Sequence, residues 1–273
     1  ASISRMETYA KCAYSYFLQY GIGLKEREEY EIDASDMGMI YHGVLEEFVK
    51  LLGEHGLDWF TFTEEEAGEL INEAVERQAV IYTDAILFEN DKNLYILDKM
   101  KQIMLRTVNT LAYQLRKGNF KPVAYEYSFR HEQSLGELNL GLNEEERLYL
   151  TGKIDRLDVS DRGEKILVKI VDYKSGKKDF SLMGFYHGVQ LQMVVYMNEA
   201  VKDIQKNNPD KEVIPAAMLY YHINDPLVEA ESKDTIENIE EKVLKELKTR
   251  GLVNASEDII SNLDVSGDKA SDV

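Results

Sequence analysis

An acid and a base two residues apart, Asp172 and Lys174, close an apolar run, and a second acid, Asp155, lies one hairpin upstream. Residues 151–158 (Thr-Gly-Lys-Ile-Asp-Arg-Leu-Asp) and 166–174 (Ile-Leu-Val-Lys-Ile-Val-Asp-Tyr-Lys) read as strands around the polar turn Ser160-Asp161-Arg162-Gly163-Glu164. Side chains alternate along a strand, so Ile166, Val168, Ile170, Asp172 and Lys174 share one face. That face is apolar until its last two members. Asp155 can then lie close to Asp172 across the hairpin. Two carboxylates and an ammonium at the edge of a buried sheet are costly unless something binds them. A divalent metal with oxygen ligands, beside a lysine, would satisfy them. A salt-bridge cluster with no metal is the simpler alternative.

Other elements must bring partners to this hairpin. A helix is expected over about Asp36–Leu52, capped by Ser35 or Asp36, with Met37, Ile40, Tyr41, Val44, Leu45 and Phe48 as its apolar stripe. Gly38, His42 and Glu46 run along one edge of that stripe. His42 reads either as a hydrogen-bonded structural residue or as a metal ligand. Downstream, a helix extends to about Gln205, with Leu191, Val194, Val195 and Met197 facing inward. Gln192 and Tyr196 are i, i+4 neighbours there, an ordinary polar pair or a pair reaching toward a phosphate. Glu126 stands in a strand-like run, Val123–Arg130, where Tyr125, Tyr127 and Phe129 alternate with Glu126 and Ser128. An acid at such a position is ordinarily solvated.

In combination these residues resemble a known family. Gly152-x-x-Asp155, then Asp172-Tyr173-Lys174, then Gln192-x-x-x-Tyr196 is similar to the core of the RecB-like branch of the PD-(D/E)xK nucleases. Gly38-x-x-x-His42 matches that branch's upstream helix. The opening of the chain and the stretch Leu219-Tyr220-Tyr221-His222 with Asp225-Pro226 resemble AddB-type helicase–nuclease subunits.

The resemblance implies an α/β fold, a mixed central sheet flanked by helices with an added helical region. It implies Mg²⁺ or Mn²⁺ held by His42, Asp155, Asp172 and the Tyr173 carbonyl. Lys174 would act on the attacking water, and Gln192 and Tyr196 would position the phosphate or strand. Glu126 is a further candidate facing the site, and Lys177 and Lys178 would contact DNA. The implied setting is cytoplasmic repair and recombination of DNA as an exonuclease, with a helicase–nuclease partner subunit. Cys12 matches the first of four iron–sulfur ligands in these relatives. The other three are absent, so a cluster is expected only in a full-length protein. Ala13 stands where the relatives carry proline.

The chain of 273 residues, 44% hydrophobic and 30% charged, suits one domain with its own core. The expected parts are an N-terminal helix and loop (1–35), a helical region (36–118), a catalytic core (119–225), and a last helix with a weakly ordered tail (226–273). The chain does not begin with Met and ends in a polar stretch, which suggests a fragment of a longer polypeptide. No apolar run has the length of a membrane span. The net charge of −18 argues against free-standing, high-affinity DNA binding. Lys169, Lys174, Lys177 and Lys178 are expected to gather beside the site as a local exception.

The single cysteine excludes an internal disulfide and cannot make a four-cysteine metal site. Cys12 itself is expected as a buried small hydrophobe in a helix over residues 2–20. Ser4 and Glu7 would form that helix's capping box, and its aromatic second half would face the core. Neither a Ser-His-Asp nor a Cys-His arrangement presents itself, and no phosphate-binding Gly-rich loop occurs. Water is therefore the expected nucleophile. A scaffold that keeps the nuclease fold without catalysis is the rival reading, favoured by the acidic balance. A free-standing exonuclease similar to the CRISPR-associated relatives is a third.

Overall fold

The computed structural model describes residues 2–24, 34–83, 91–129, 138–141, 147–176, 180–229, 233 and 235–265. Its centre is a five-stranded mixed sheet in the order β1 (Lys121–Phe129), β4 (Gly152–Asp161), β5 (Lys165–Lys174), β6 (Glu212–His222), β7 (Arg250–Val253). β5 and β6 are parallel and the other neighbours antiparallel. A separate ribbon pairs β2 (Leu138–Gly141) with β3 (Arg147–Leu150). β2 falls where the sequence predicts only a polar loop.

β5 is the central strand, and its composition explains why. All eight residues from Ile166 to Tyr173 are buried, as expected of a strand covered on both faces and parallel to a neighbour. The turn before it is shorter than the predicted one, because Asp161 still pairs with Ile166. Gly163 takes φ 82°, a left-handed conformation that glycine adopts without a Cβ penalty. Parallel pairing with β6 requires a crossover, made by α6 (Leu182–Tyr186) and α7 (Gln192–Asn207). Pro215 lacks an N–H, and the β5–β6 register slips beside it, between Val168 and Lys169.

Helices cover both faces. On one, α3 (Ala34–Glu54), α4 (Glu64–Thr83) and α5 (Asp91–Lys117) pack with Leu167, Val171 and Tyr173 of β5. Thr63 and Glu66 start α4 with a reciprocal capping box. On the other face, Ile166, Val168 and Ile170 meet Met193, Tyr196, Met197 and Ala200 of α7 and Ile3 of α1 (Ile3–Lys11). The inward stripe of α7 thus runs through Met193 and Tyr196 and not through Val194.

The N-terminal and C-terminal segments depart most from expectation. The first helix stops at Cys12, whose backbone is extended, and resumes as α2 (Ala13–Tyr16) and a π turn (Phe17–Gly21). Tyr14 and Phe17 are exposed, and so is Cys12. Amphipathic spacing says only that one face is apolar; here no described element lies over it. Glu7 does not cap its own helix. It is buried, and its carboxylate accepts from the backbone N–H groups of Leu191 and Gln192 at the start of α7. An acid there satisfies two of that helix's orphan donors and complements its dipole. At the other end α8 (Ile236–Glu246), capped by Thr235, is followed by β7 and α9 (Glu257–Leu263). Ile259 and Leu263 are buried, so much of the stretch expected as a weakly ordered tail is structured.

Candidate active site

The β4–β5 register runs from Asp161↔Ile166 to Arg156↔Val171, which sets Asp155 beside Asp172. There the N–H of Tyr173 donates to the Asp155 carboxylate (2.7 Å). Both acids are buried, at 8% and 2% exposure. Burial and the neighbouring charge of Asp172 push the Asp155 carboxyl up to about 7. Two carboxylates forced this close resist being ionised together. The hairpin enforces the arrangement because a strand's period of two leaves no other side for them.

Each acid is held by different groups. Asp172 contacts the Lys174 ammonium and accepts a hydrogen bond from Gln192 Nε2 (2.9 Å). Lys174 also lies 5.7 Å from the centre of the Tyr220 ring. Tyr196 accepts from Gln192 Nε2 and from the Lys153 backbone N–H, both at 3.3 Å. Gln192 and Tyr196 therefore brace Asp172 and the start of β4 from α7.

α3 supplies His42. Its Nε2–H donates to the Tyr173 carbonyl (3.0 Å), and Nδ1 faces Asp155 Oδ1 at 3.6 Å and Glu126 Oε1 at 3.7 Å. With the proton on Nε2, Nδ1 keeps a lone pair aimed at two carboxylates, as a metal ligand requires. Burial alone would lower the His42 pKa, but Glu126, Asp155 and Asp172 outweigh it and raise it. Gly38, one turn earlier, admits the Ser175 hydroxyl; a Cβ there would come within 2.8 Å of it. Without a side chain at Gly38, α3 can settle onto the end of β5 and deliver His42.

Glu126 reaches the cluster through a backbone irregularity. Its φ is +49°, in the left-handed region that costs a non-glycine residue free energy. In a regular strand Tyr125 and Tyr127 would share a face. Here Tyr125 packs with the α3–α5 core and Tyr127 with the α7 core. The reversal at Glu126 replaces the expected alternation. Glu126 also contacts the Lys153 ammonium. Although burial favours the neutral acid, His42 and Lys153 hold its pKa below the usual glutamate value.

His42, Glu126 and Asp155 can each offer a ligand atom, all within 4.8 Å of one another. This donor set, one imidazole nitrogen and carboxylate oxygens, suits a divalent cation. It differs from the expected set in one respect: Glu126 takes a place, while Asp172 is engaged by Lys174 and Gln192, and the Tyr173 carbonyl by His42. Lys169 is not beside the site. It is buried within the sheet, 3.1 Å from Asp158. Lys177 and Lys178 lie outside the described residues. Cys12 is a free thiol.

The comparisons agree with this geometry. A family model described as the PD-(D/E)XK nuclease superfamily matches residues 1–264. The chain belongs to this superfamily. Among its curated PD-(D/E)XK relatives are proteins named as subunits of an ATP-dependent helicase/deoxyribonuclease. The one from Lachnoclostridium phytofermentans is 37% identical over 265 residues, 97% of this chain and 22% of that protein. Those from Clostridium acetobutylicum and Clostridium kluyveri are each 35% identical, over 96% and 100% of this chain. They are matched over 23% and 24% of their own lengths, so the chain spans about a quarter of these relatives. The mixed sheet flanked by helices is the fold expected of a PD-(D/E)XK nuclease. Among the described residues no helix is long and apolar enough to cross a membrane.

Proposed function

We propose that this chain is the metal-dependent nuclease module of an AddB-type helicase–nuclease, hydrolysing DNA phosphodiesters as an exonuclease. The observation that carries the reading is the pairing of Asp155 with Asp172, with His42, Glu126 and Lys174 around them. His42, Glu126 and Asp155 would hold Mg²⁺ or Mn²⁺, with Asp172 and the Tyr173 carbonyl close by as further oxygen donors. A divalent cation in that place lowers the pKa of a water molecule and offsets charge on the phosphoryl oxygens.

The chain's own residues do the rest. Lys174, oriented by Asp172, is placed to share a proton with the attacking water and to face the negative charge that develops at phosphorus. Gln192 and Tyr196 fix the orientation of Asp172 and border the space where a strand would lie. Tyr173 ties the halves together, its N–H on Asp155 and its carbonyl on His42.

The wider assignment rests on the relatives. It comprises a single nuclease domain with its catalytic core at 119–225, a helicase–nuclease partner subunit, and double-strand-break repair and recombination in the cytoplasm. Lys177 and Lys178 would contact DNA. One cysteine does not make an iron–sulfur site, so the proposal gives Cys12 no cofactor within this chain.

Calorimetric titration of Mn²⁺ into the protein, beside Asp155→Ala and Asp172→Ala, is the direct test. Binding is expected in the wild type and strongly weakened in both variants. Mn²⁺-dependent cleavage of single-stranded DNA should fall about 10³-fold or more in Asp172→Ala or Lys174→Ala with the fold intact. Wild-type cleavage in either variant would sink the assignment. Absence of Mn²⁺ binding by the folded wild type would favour the inactive scaffold.

A further inference from the structure

Beside the carboxylates lies a cleft of about 280 Å³ that the proposed metal ligands do not use. It opens between the first turn of α1, the end of β1 and the start of β4. Its walls carry four hydroxyls, those of Ser2, Ser4, Ser128 and Thr151, together with Lys153. Gln192 and Tyr196 form the wall shared with Asp172. Among the described residues no carboxylate lines it.

The composition of these walls selects the ligand. Hydroxyls and an ammonium donate to phosphate oxygens, whereas recognition of single-stranded bases relies on aromatic faces for stacking. The aromatic on the wall, Tyr196, is buried with its hydroxyl engaged by Lys153 N–H and Gln192. The cleft is also braced. Ser2 bridges to Thr151 through the backbone, and the Ser2 hydroxyl, at the N-cap of α1, bonds the Ser4 hydroxyl (3.0 Å) and not a first-turn amide. Those two hydroxyls need only rotate to face a ligand.

Lys153 links the cleft to the acidic cluster. Its ammonium contacts Glu126, the acid that also faces His42. Any cation held by Glu126 competes for the same carboxylate charge and leaves the half-exposed Lys153 free to turn into the cleft.

We infer that this cleft holds the phosphodiester adjoining the scissile one on the same strand, with Lys153 as its ion-pair partner and Ser2, Ser4, Ser128 and Thr151 as hydroxyl donors. The inference rests on the nuclease reading and deepens it. Strand register at the site is set by the backbone phosphate, which makes binding independent of base sequence.

The test is fluorescence anisotropy of a labelled oligothymidylate over a salt series in Ca²⁺, with the 273-residue chain. Lys153→Ala should weaken binding about tenfold. The slope of log affinity against log salt should shrink by about 0.7, the share of one phosphate contact on a single strand. Lys153→Arg should restore the slope. Ser4→Ala with Thr151→Val should weaken binding and leave the slope unchanged. An oligonucleotide with one neutral methylphosphonate next to the cleaved linkage should be cleaved more slowly by the wild type, with no further loss in Lys153→Ala.

Unchanged affinity and slope in Lys153→Ala, with Mn²⁺-dependent cleavage intact in the wild type, would overturn the cleft and leave the nuclease reading standing. A reduced slope in a protein that cleaves with no divalent metal would overturn the nuclease reading, and the cleft's pairing with a scissile phosphate along with it.

Discussion

The β4–β5 hairpin carries two acid–base clusters, and they are balanced in opposite directions. At its open end Glu126, Asp155 and Asp172 outnumber Lys153 and Lys174, with His42 between the acids. In its interior a single acid, Asp158, meets two cations: Arg156 at 2.9 Å and Lys169 at 3.1 Å. Arg156 donates onward to the Tyr173 hydroxyl (3.3 Å), and Lys169 lies 4.9 Å from the centre of the Phe120 ring. All three interior ions are almost fully buried. The open cluster can relieve its acid surplus by taking a cation. The interior cluster has no such route, and burial lowers the pKa of Lys169, easing loss of its proton. Neighbouring positions such as Asp155 and Arg156 thus serve site chemistry and cohesion respectively.

The largest effect that would break this contrast is expected in the interior. Asp158→Ala leaves Arg156 and Lys169 buried without their counter-ion and should cost about 3–5 kcal/mol. That would lower Tm by on the order of 10 °C. Mn²⁺ affinity should stay near wild type below the melting transition. A variant that melts like wild type but loses Mn²⁺ would show that the two clusters are one system.

A smaller change of opposite sign is expected at the open end. Asp155→Asn removes a carboxyl whose folded pKa, about 7, stands well above its ordinary 3.8. The folded state therefore holds a proton that the unfolded state releases between pH 4 and 7. Stability of the metal-free wild type should fall as pH rises through that window. The raised pKa of His42 acts in the same direction. Asp155→Asn should raise metal-free stability at neutral pH by on the order of 2 kcal/mol, and the gain should vanish near pH 4. Melting curves across this range decide it: a flat difference between variant and wild type would contradict the pairing of the two acids. Mn²⁺ should reverse the wild-type decline, because it binds the deprotonated ligands.

The smallest predicted effect concerns the brace. Glu7→Ala removes the carboxylate that caps α7 and should cost about 1 kcal/mol. Its structural readout is the start of α7, where amide exchange at Leu191 and Gln192 should accelerate. Unchanged protection there would mean that α7 is held by its packing alone.

The hairpin was legible because its signals are local. Alternation at a period of two fixes which side chains can meet, so Asp172, Lys174 and their cross-strand neighbour Asp155 follow from the order of residues. The helical spacing of Gly38 and His42, and of Gln192 and Tyr196, was equally plain. Glu126 was harder to read, since an acid in a strand carries no mark of the left-handed turn that brings it to the site. Glu7 resembled half of its own helix's capping box, yet it caps a helix 184 residues away. Lys169 belonged by sequence to a basic patch and by structure to the interior.

By itself the sequence determined the central strand, the pairing of two carboxylates with a lysine, and the helices able to carry their partners. These follow from backbone periodicity and the cost of burying charge, which act between near neighbours. Only the tertiary structure decided that His42 would face Asp155 and Glu126, that a hydroxyl-lined cleft would open beside them, and that Cys12 and its aromatic neighbours would stand exposed. Those outcomes depend on how α1, α3 and α7 dock on the sheet, and docking is set by the fit of whole surfaces distant in the chain.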